Sequence, residues 1–269
     1  MHMLRLAGFM AAISAVPALA QDAPPPAGDD LAMKLANPVS SLISVPFQAN
    51  WDFGMGANDQ GQRFTLNIQP VVPISLNSEW NVISRTILPV IDQQDVTGIG
   101  QGQTGLGDVV QSVFFSPRKP TSSGIIWGAG PVLLLPTATD SALGGGKFGF
   151  GPTAVALKQS GPITIGILAN HIWSVAGKDS RGDISATFVN PFVSYVTKRA
   201  TTFSISPEFT HDWKNSARVI PVNLTVSQLL KLGKQPVVVA AGGRYYLERP
   251  FGGPDWGARL SLVFLFPAG

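Results

Sequence analysis

The chain has no cysteine, and only 13% of its 269 residues are charged. Without cysteine there is no disulfide framework, and the small-x-small site Ala18-Leu19-Ala20 lacks the adjacent thiol of a lipoprotein. Soluble domains carry about 25% charged residues, and a chain with so few would struggle to cover its surface in water. Long apolar runs are missing too. The nearest, Thr121–Thr139, is broken by Gly124, Gly128, Gly130, Pro131 and Pro136, and its apolar core of about 11 residues falls short of the ~20 that a helix needs to cross a bilayer. No basic cluster points to nucleic acid, and the formal charge of +3 is weak evidence for any partner. The three histidines, His2, His171 and His211, have no metal-ligand spacing, so neither a metal nor another cofactor is expected.

Glycine and proline are abundant instead, at 29 and 22 residues, alongside 45% hydrophobic content. That excludes a helical bundle and also a disordered chain. The N-terminus reads as a cleavable secretory signal over residues 1–20, with Arg5, an apolar run from Leu6 to Val16, and cleavage after Ala20. Loss of Arg5 lowers the formal charge from +3 to +2. Residues 21–38 read as a proline-rich linker and a short helix, capped by Asp29 or Asp30 and ended by Asn37-Pro38. This segment is either a linker or a short plug, because Leu31, Leu35 and Leu42 need cover.

Residues 39–269 show period-two alternation. In "RFTLNIQPVVPISLN" (Arg63–Asn77), Phe64, Leu66, Ile68, Val72, Ile74 and Leu76 share one face, while Arg63, Thr65, Asn67 and Gln69 share the other. About twelve such runs follow one another, most of about 10–14 residues, enough for a tilted strand to span a bilayer. Long, glycine-rich or charged connectors alternate with short ones, as in an up-and-down barrel with long loops outside and short turns in the periplasm. Trp51, Trp173, Trp213 and Trp256 fall at one set of strand ends and Trp80 and Trp127 at the other, the pattern of two interfacial girdles. The expected fold is therefore all-β: a closed, antiparallel transmembrane β-barrel of about twelve strands, with a short N-terminal helix.

Charge sorts onto the polar faces. In lipid a mid-strand Arg costs about 2–4 kcal/mol, so these faces should turn inward. Arg63, Asn67, Gln69, Arg85, Glu208, Asp212, Arg244 and Arg259 are the expected lumen lining. Prolines at positions 70, 73, 131, 152, 191, 207 and 221 lack the ladder N–H and predict bulges or bends. The glycine run Gly98–Gly107 lacks the Lys-Ser/Thr ending of a phosphate loop and reads as a surface loop. A membrane hydrolase using His171 with Ser174 or Asn170 is the enzyme alternative, and a rim histidine the plainer one, so no enzyme is expected.

Four stretches, "LANPVSSLISVPFQ" (Leu35–Gln48), "GLGDV" (Gly105–Val109), "LANHIWSVAG" (Leu168–Gly177) and "GGPDWGARLSLVFLFP" (Gly252–Pro267), resemble the bacterial meta-pathway phenol-degradation-like family. The resemblance implies an outer-membrane barrel for uptake of aromatic or other hydrophobic compounds, with outer-membrane lipid and the barrel insertion machinery as partners. It transfers no ligand residues, and the solute is left unnamed. One departure is the C-terminus, where Phe266 is followed by Pro267, Ala268 and Gly269 rather than ending the chain on an aromatic.

Overall fold

The computed structural model describes residues 27–267; the segment read as a secretory signal and most of the proline-rich linker lie outside the described residues. One helix, α1 (Ala27–Leu35), precedes a sheet that closes on itself. Its twelve spans are β1 (Leu42–Met55), β2 (Gly61–Ile68 and Val71–Ser75), β3 (Trp80–Gln94) and β4 (Gly102–Leu106 and Val109–Pro117). β5 (Ile125–Leu135), β6 (Lys147–Ser160), β7 (Ile163–Gly177) and β8 (Ser185–Val196) follow. The last four are β9 (Thr201–Pro207 and Phe209–Asp212), β10 (Ala217–Leu232), β11 (Gln235–Glu248) and β12 (Trp256–Pro267). Every neighbour pair is antiparallel, and β1 pairs with β12 from Leu42↔Pro267 to Phe53↔Trp256, which leaves no free edge.

Sequence chemistry sets the two ends. Two turns at one end are as tight as a hairpin allows. Gly161 (φ 54°) precedes Pro162 and Gly233 (φ 62°) precedes Lys234, each glycine taking the left-handed position that a β-branched residue would resist. The other end carries the connectors 95–101, 136–146, 178–184 and 249–255. The glycine-rich stretch after Asp92 is shorter as a loop than its composition suggests. β3 runs on to Gln94 and β4 begins at Gly102, so most of it is a hairpin stem.

Most prolines do not bend the wall. Ile68↔Leu88 and Val71↔Arg85 keep one register across Pro70, and Pro73 pairs with Ile83 in that same register. Pro131 and Pro152 lie directly opposite each other inside an unbroken β5–β6 ladder. The expected bulge appears at Pro221, where the β10–β11 register shifts. Elsewhere the N–H that proline lacks is one of only two bonding directions along a strand, and the other neighbour holds the register.

The outer face is apolar around the barrel: Phe64, Phe203, Ile205, Leu224, Val226, Leu260 and Phe266 all point outward on alternating positions. Aromatic pairs rim it. Trp51 lies 5.1 Å from Phe64, Phe53 4.6 Å from Trp256, and His211 4.4 Å from Trp213 at the long-loop end, while Trp80 and Trp127 meet edge-on at 5.9 Å at the other.

The interior corrects the expectation of a polar lumen throughout. Toward the short-turn end apolar side chains join Ser44, Thr164 and Ser194 on the inward face, and the N-terminal segment packs into the space. Leu31 and Leu35 of α1 pack on Leu42, Val238, Val263 and Leu265. Ala32 packs with Val196 and Ala200, and Val39 with Ile83, Phe114, Val155, Leu157 and Leu168. Gln159 Nε2 donates to Met33 O at 2.8 Å. Where the segment packs against the wall the contact is like a soluble core, so the inward positions it touches, Val155, Leu157, Leu168, Val238 and Leu265 among them, are apolar.

Candidate functional site

Above that plugged section the inward face turns polar. Alternation on β1 brings Asn50 and Asp52 inward, on β2 Arg63, Asn67 and Gln69, on β3 Arg85 and Gln93, on β9 Glu208, on β10 Asn223, on β11 Arg244 and Tyr246, and on β12 Arg259. The barrel closure makes β11, β12, β1, β2 and β3 consecutive staves, so strands far apart in sequence meet around one ring.

The ring is held by ion pairs and charge-assisted hydrogen bonds. Arg244 lies 3.6 Å from Asp52 and 3.7 Å from Glu208, and Arg259 lies 3.8 Å from Glu208. Tyr246 donates its hydroxyl to Asp52 at 2.8 Å, and its ring centroid lies 5.3 Å from the Arg244 guanidinium carbon. Arg259 Nε donates to Asn50 Oδ1 at 2.8 Å, and Asn223 Nδ2 to Glu208 Oε1 at 3.0 Å. On the other side Arg63 Nε donates to Gln93 Oε1 at 2.8 Å and Arg85 to Gln69 Oε1 at 3.2 Å. Four arginines (63, 85, 244, 259) face two carboxylates (Asp52, Glu208), so the ring carries a formal 4 − 2 = +2. Arg244 Nε is buried without a partner. The arrangement can draw anions by charge, aromatic faces by cation–π attraction to guanidinium, and hydroxyl donors to its carboxylates.

Seven of the eight residues expected from sequence share the polar inward faces of this region. Asp212 points the same way but sits at the long-loop rim, where it accepts the Lys214 N–H at 2.9 Å and Asn215 Nδ2 at 2.7 Å. It lines, with Thr210, Arg181 and Asp183, an outer cavity of about 440 Å³. Sequence reasoning missed Asp52, Tyr246, Asn50, Gln93 and Asn223. The available signal was parity: Gln48, Asn50 and Asp52 alternate with Phe47, Ala49, Trp51 and Phe53 along β1.

Below the ring, between it and the N-terminal segment, lies a cavity of about 360 Å³. Gln69 and Arg85 form its roof and Leu35, Asn37 and Pro38 part of its floor. The hydrolase pairing of His171 with Ser174 or Asn170 does not form. His171 is outward, where its Nδ1 meets Thr187 Oγ1 at 2.7 Å, whereas Asn170 and Ser174 are inward on the same strand. Ser174 is used in the loop at Asp183 and the Ile184 N–H.

This closed twelve-strand architecture is similar to an outer-membrane channel from Pseudomonas putida F1, with a TM-score of 0.65 at 16% identity over 84% of this chain and 94% of that one. The β-domain of a Bordetella autotransporter aligns with a TM-score of 0.45 at 11% identity over 84% of this chain and 98% of the other. A porin structure aligns with a TM-score of 0.40 at 10% identity over 83% and 99%. No family model matches the chain, and no curated protein does. The fold is that of an outer-membrane β-barrel, and the meta-pathway resemblance rests on its four sequence stretches alone.

Proposed function

We propose that this protein is a passive channel of the bacterial outer membrane, taking up small solutes, aromatic and other hydrophobic compounds among them, without a covalent step. The observation that carries the reading is the inside-out distribution of chemistry: an apolar, aromatic-rimmed exterior around a ring of four arginines, two carboxylates and amides. The likeness to the Pseudomonas putida channel supports it at the level of architecture. The long-loop end faces outward and the short turns and N-terminus face the periplasm. A solute enters through the outer cavity, passes the ring where guanidinium planes and carboxylates select it, and reaches the inner cavity.

Planar-bilayer recording tests this. The purified barrel should conduct, and the ring's +2 should favour anions over cations. Arg244→Glu changes the ring from +2 to 0 and should move the reversal potential toward that of a non-selective pore. A barrel that inserts and never conducts refutes the channel. The packing of residues 31–39 into the short-turn end favours, in that case, a non-conducting structural or ligand-binding barrel.

A further inference from the structure

Charge is divided between the two ends of the barrel. The connectors of the long-loop end, 56–60, 95–101, 136–146, 178–184, 213–216 and 249–255, hold four cations and six acids, a formal 4 − 6 = −2. Those of the short-turn end, 76–79, 118–124, 161–162, 197–200 and 233–234, hold five cations and one acid, a formal 5 − 1 = +4. Lys158 and Lys231, on strand ends beside two of these turns, raise that end to +6. All seven cations are exposed. Every ion pair among the described residues lies in the ring or at the long-loop end, so none of the seven has a carboxylate partner there.

These cations stand beside lipid-facing side chains. Lys158 has the outward parity of β6 and lies between its register partners Ile125 and Ile165, both exposed. It is one outward row beyond Trp127, whose partner is Ala156, and Trp127 with Trp80 forms the aromatic rim at this end. Lys198 and Arg199 join the strand ends that carry Tyr195 and Phe203, an exposed outward register pair. Lys231 and Lys234 flank Leu232 and the Gly233 turn, with Leu230 outward on the same strand. Arg118 and Lys119 open the connector that leads to Ile125, and Arg118 donates to Ser75 Oγ and Asn77 O at 3.1 Å each. An aliphatic stem on apolar surface, with its charge at the edge of hydrocarbon, is the geometry that meets a lipid phosphate. An acidic soluble protein would need the cations gathered in one patch, whereas they are strung along the rim from β4 to β11.

We propose that the short-turn rim is a collar for anionic phospholipid. Phosphodiesters of the periplasmic leaflet sit on Lys158, Lys198, Arg199, Lys231 and Lys234, and the acyl chains lie on the apolar side chains beside them. The opposite rim, acidic on balance, has no such affinity, so the collar sets the depth of the barrel and the lipid that surrounds its inner half. The inference takes from the functional reading only that the short turns face the periplasm, and it does not depend on conduction.

The full chain, purified and reconstituted in phosphatidylcholine bilayers, is probed with traces of spin-labelled phosphatidylglycerol or spin-labelled phosphatidylcholine. Electron paramagnetic resonance gives the share of each label held at the barrel wall. The expected result is a severalfold preference for phosphatidylglycerol at low salt, falling as salt screens the contact. Lys158→Gln, Lys198→Gln, Arg199→Gln, Lys231→Gln and Lys234→Gln are combined in one variant, and Arg118 is kept because its hydrogen bonds hold a turn. The preference should vanish in this variant and persist in Lys178→Gln with Lys214→Gln, which removes two cations from the long-loop end. All of these positions are exposed, so both variants should fold, and heat-modifiable migration verifies it. No preference in the unaltered protein, a preference that survives the five changes, or one lost equally in the long-loop variant overturns the collar. Planar-bilayer conductance decides the channel separately.

Discussion

Among the residues of the ring, Asp52 is the one on which most converges. It accepts the Tyr246 hydroxyl and faces Arg244, and both it and Arg244 are nearly closed off from solvent, with side chains 10% and 12% exposed. Asp52→Ala leaves a buried guanidinium short of one counter-charge and a phenol without an acceptor. Breaking a buried pair by removing one partner costs about 3–5 kcal/mol, and the remaining Glu208 contact puts the expectation at the lower end. Heat-modifiable gel migration should report unfolding at lower temperature for Asp52→Ala than for Asp212→Ala, whose carboxylate sits on exposed turn amides. Parity told which way each of the ring's side chains points, because alternation survives in every span. Height along the barrel axis was not legible. It depends on the stagger between neighbouring strands, which closure fixes and no single strand records, so Asp212 and Glu208 read as equivalent although they lie at different levels.

At the scale of elements, the N-terminal segment and the wall are fitted to each other. A Cβ on Gly128 would lie 3.2 Å from Val39 Cγ1 and 3.3 Å from Phe114 Cβ, so this glycine leaves room for the segment. Gly128→Leu should expel Val39 and raise single-channel conductance, and deletion of residues 29–37 should do so further; unchanged conductance in both would mean the segment obstructs nothing. A second element, the loop 178–184, is tethered by Lys147 Nζ to Asp183 at 3.4 Å. The hydrogen bond and charge of Lys147 hold the Asp183 carboxyl below its ordinary value. A carboxyl lowered in the folded state contributes above its unfolded value, about 3.9, and the contribution fades as pH falls through the depressed folded value. Protease access to this loop should therefore be flat from neutral pH down to about 5 and rise only below about 4, while Asp183→Asn should show the raised level at every pH. The composition of the segment at Leu31, Leu35 and Leu42 signalled that it needed cover. What the sequence did not reveal is that inward faces at Val155, Leu157, Val238 and Leu265 supply it, since a strand apolar on both faces reads the same in a plugged barrel and in a soluble core.

For the whole molecule the decisive question is which solvent bathes the outer face, and a depth series answers it. Leu224 and Leu232 both point outward from β10, and they are 59% and 60% exposed. In water, replacing either exposed leucine with arginine would change stability little, and by similar amounts. In a bilayer the two positions differ, because Leu224 is central in its strand and Leu232 is the last residue before the Gly233 turn. A cation at mid-depth costs about 2–4 kcal/mol and one at the interface about 0–1. Leu224→Arg should accordingly lower the folding free energy measured in vesicles by several-fold more than Leu232→Arg. The low charge content points the same way, since spans that bury their ladder hydrogen bonds in a closed sheet and face hydrocarbon have little use for charge outside the lumen and the loops. Equal effects at both positions, together with a folded monomer in buffer free of amphiphile, would return the apolar face to water and undo the channel reading at its root.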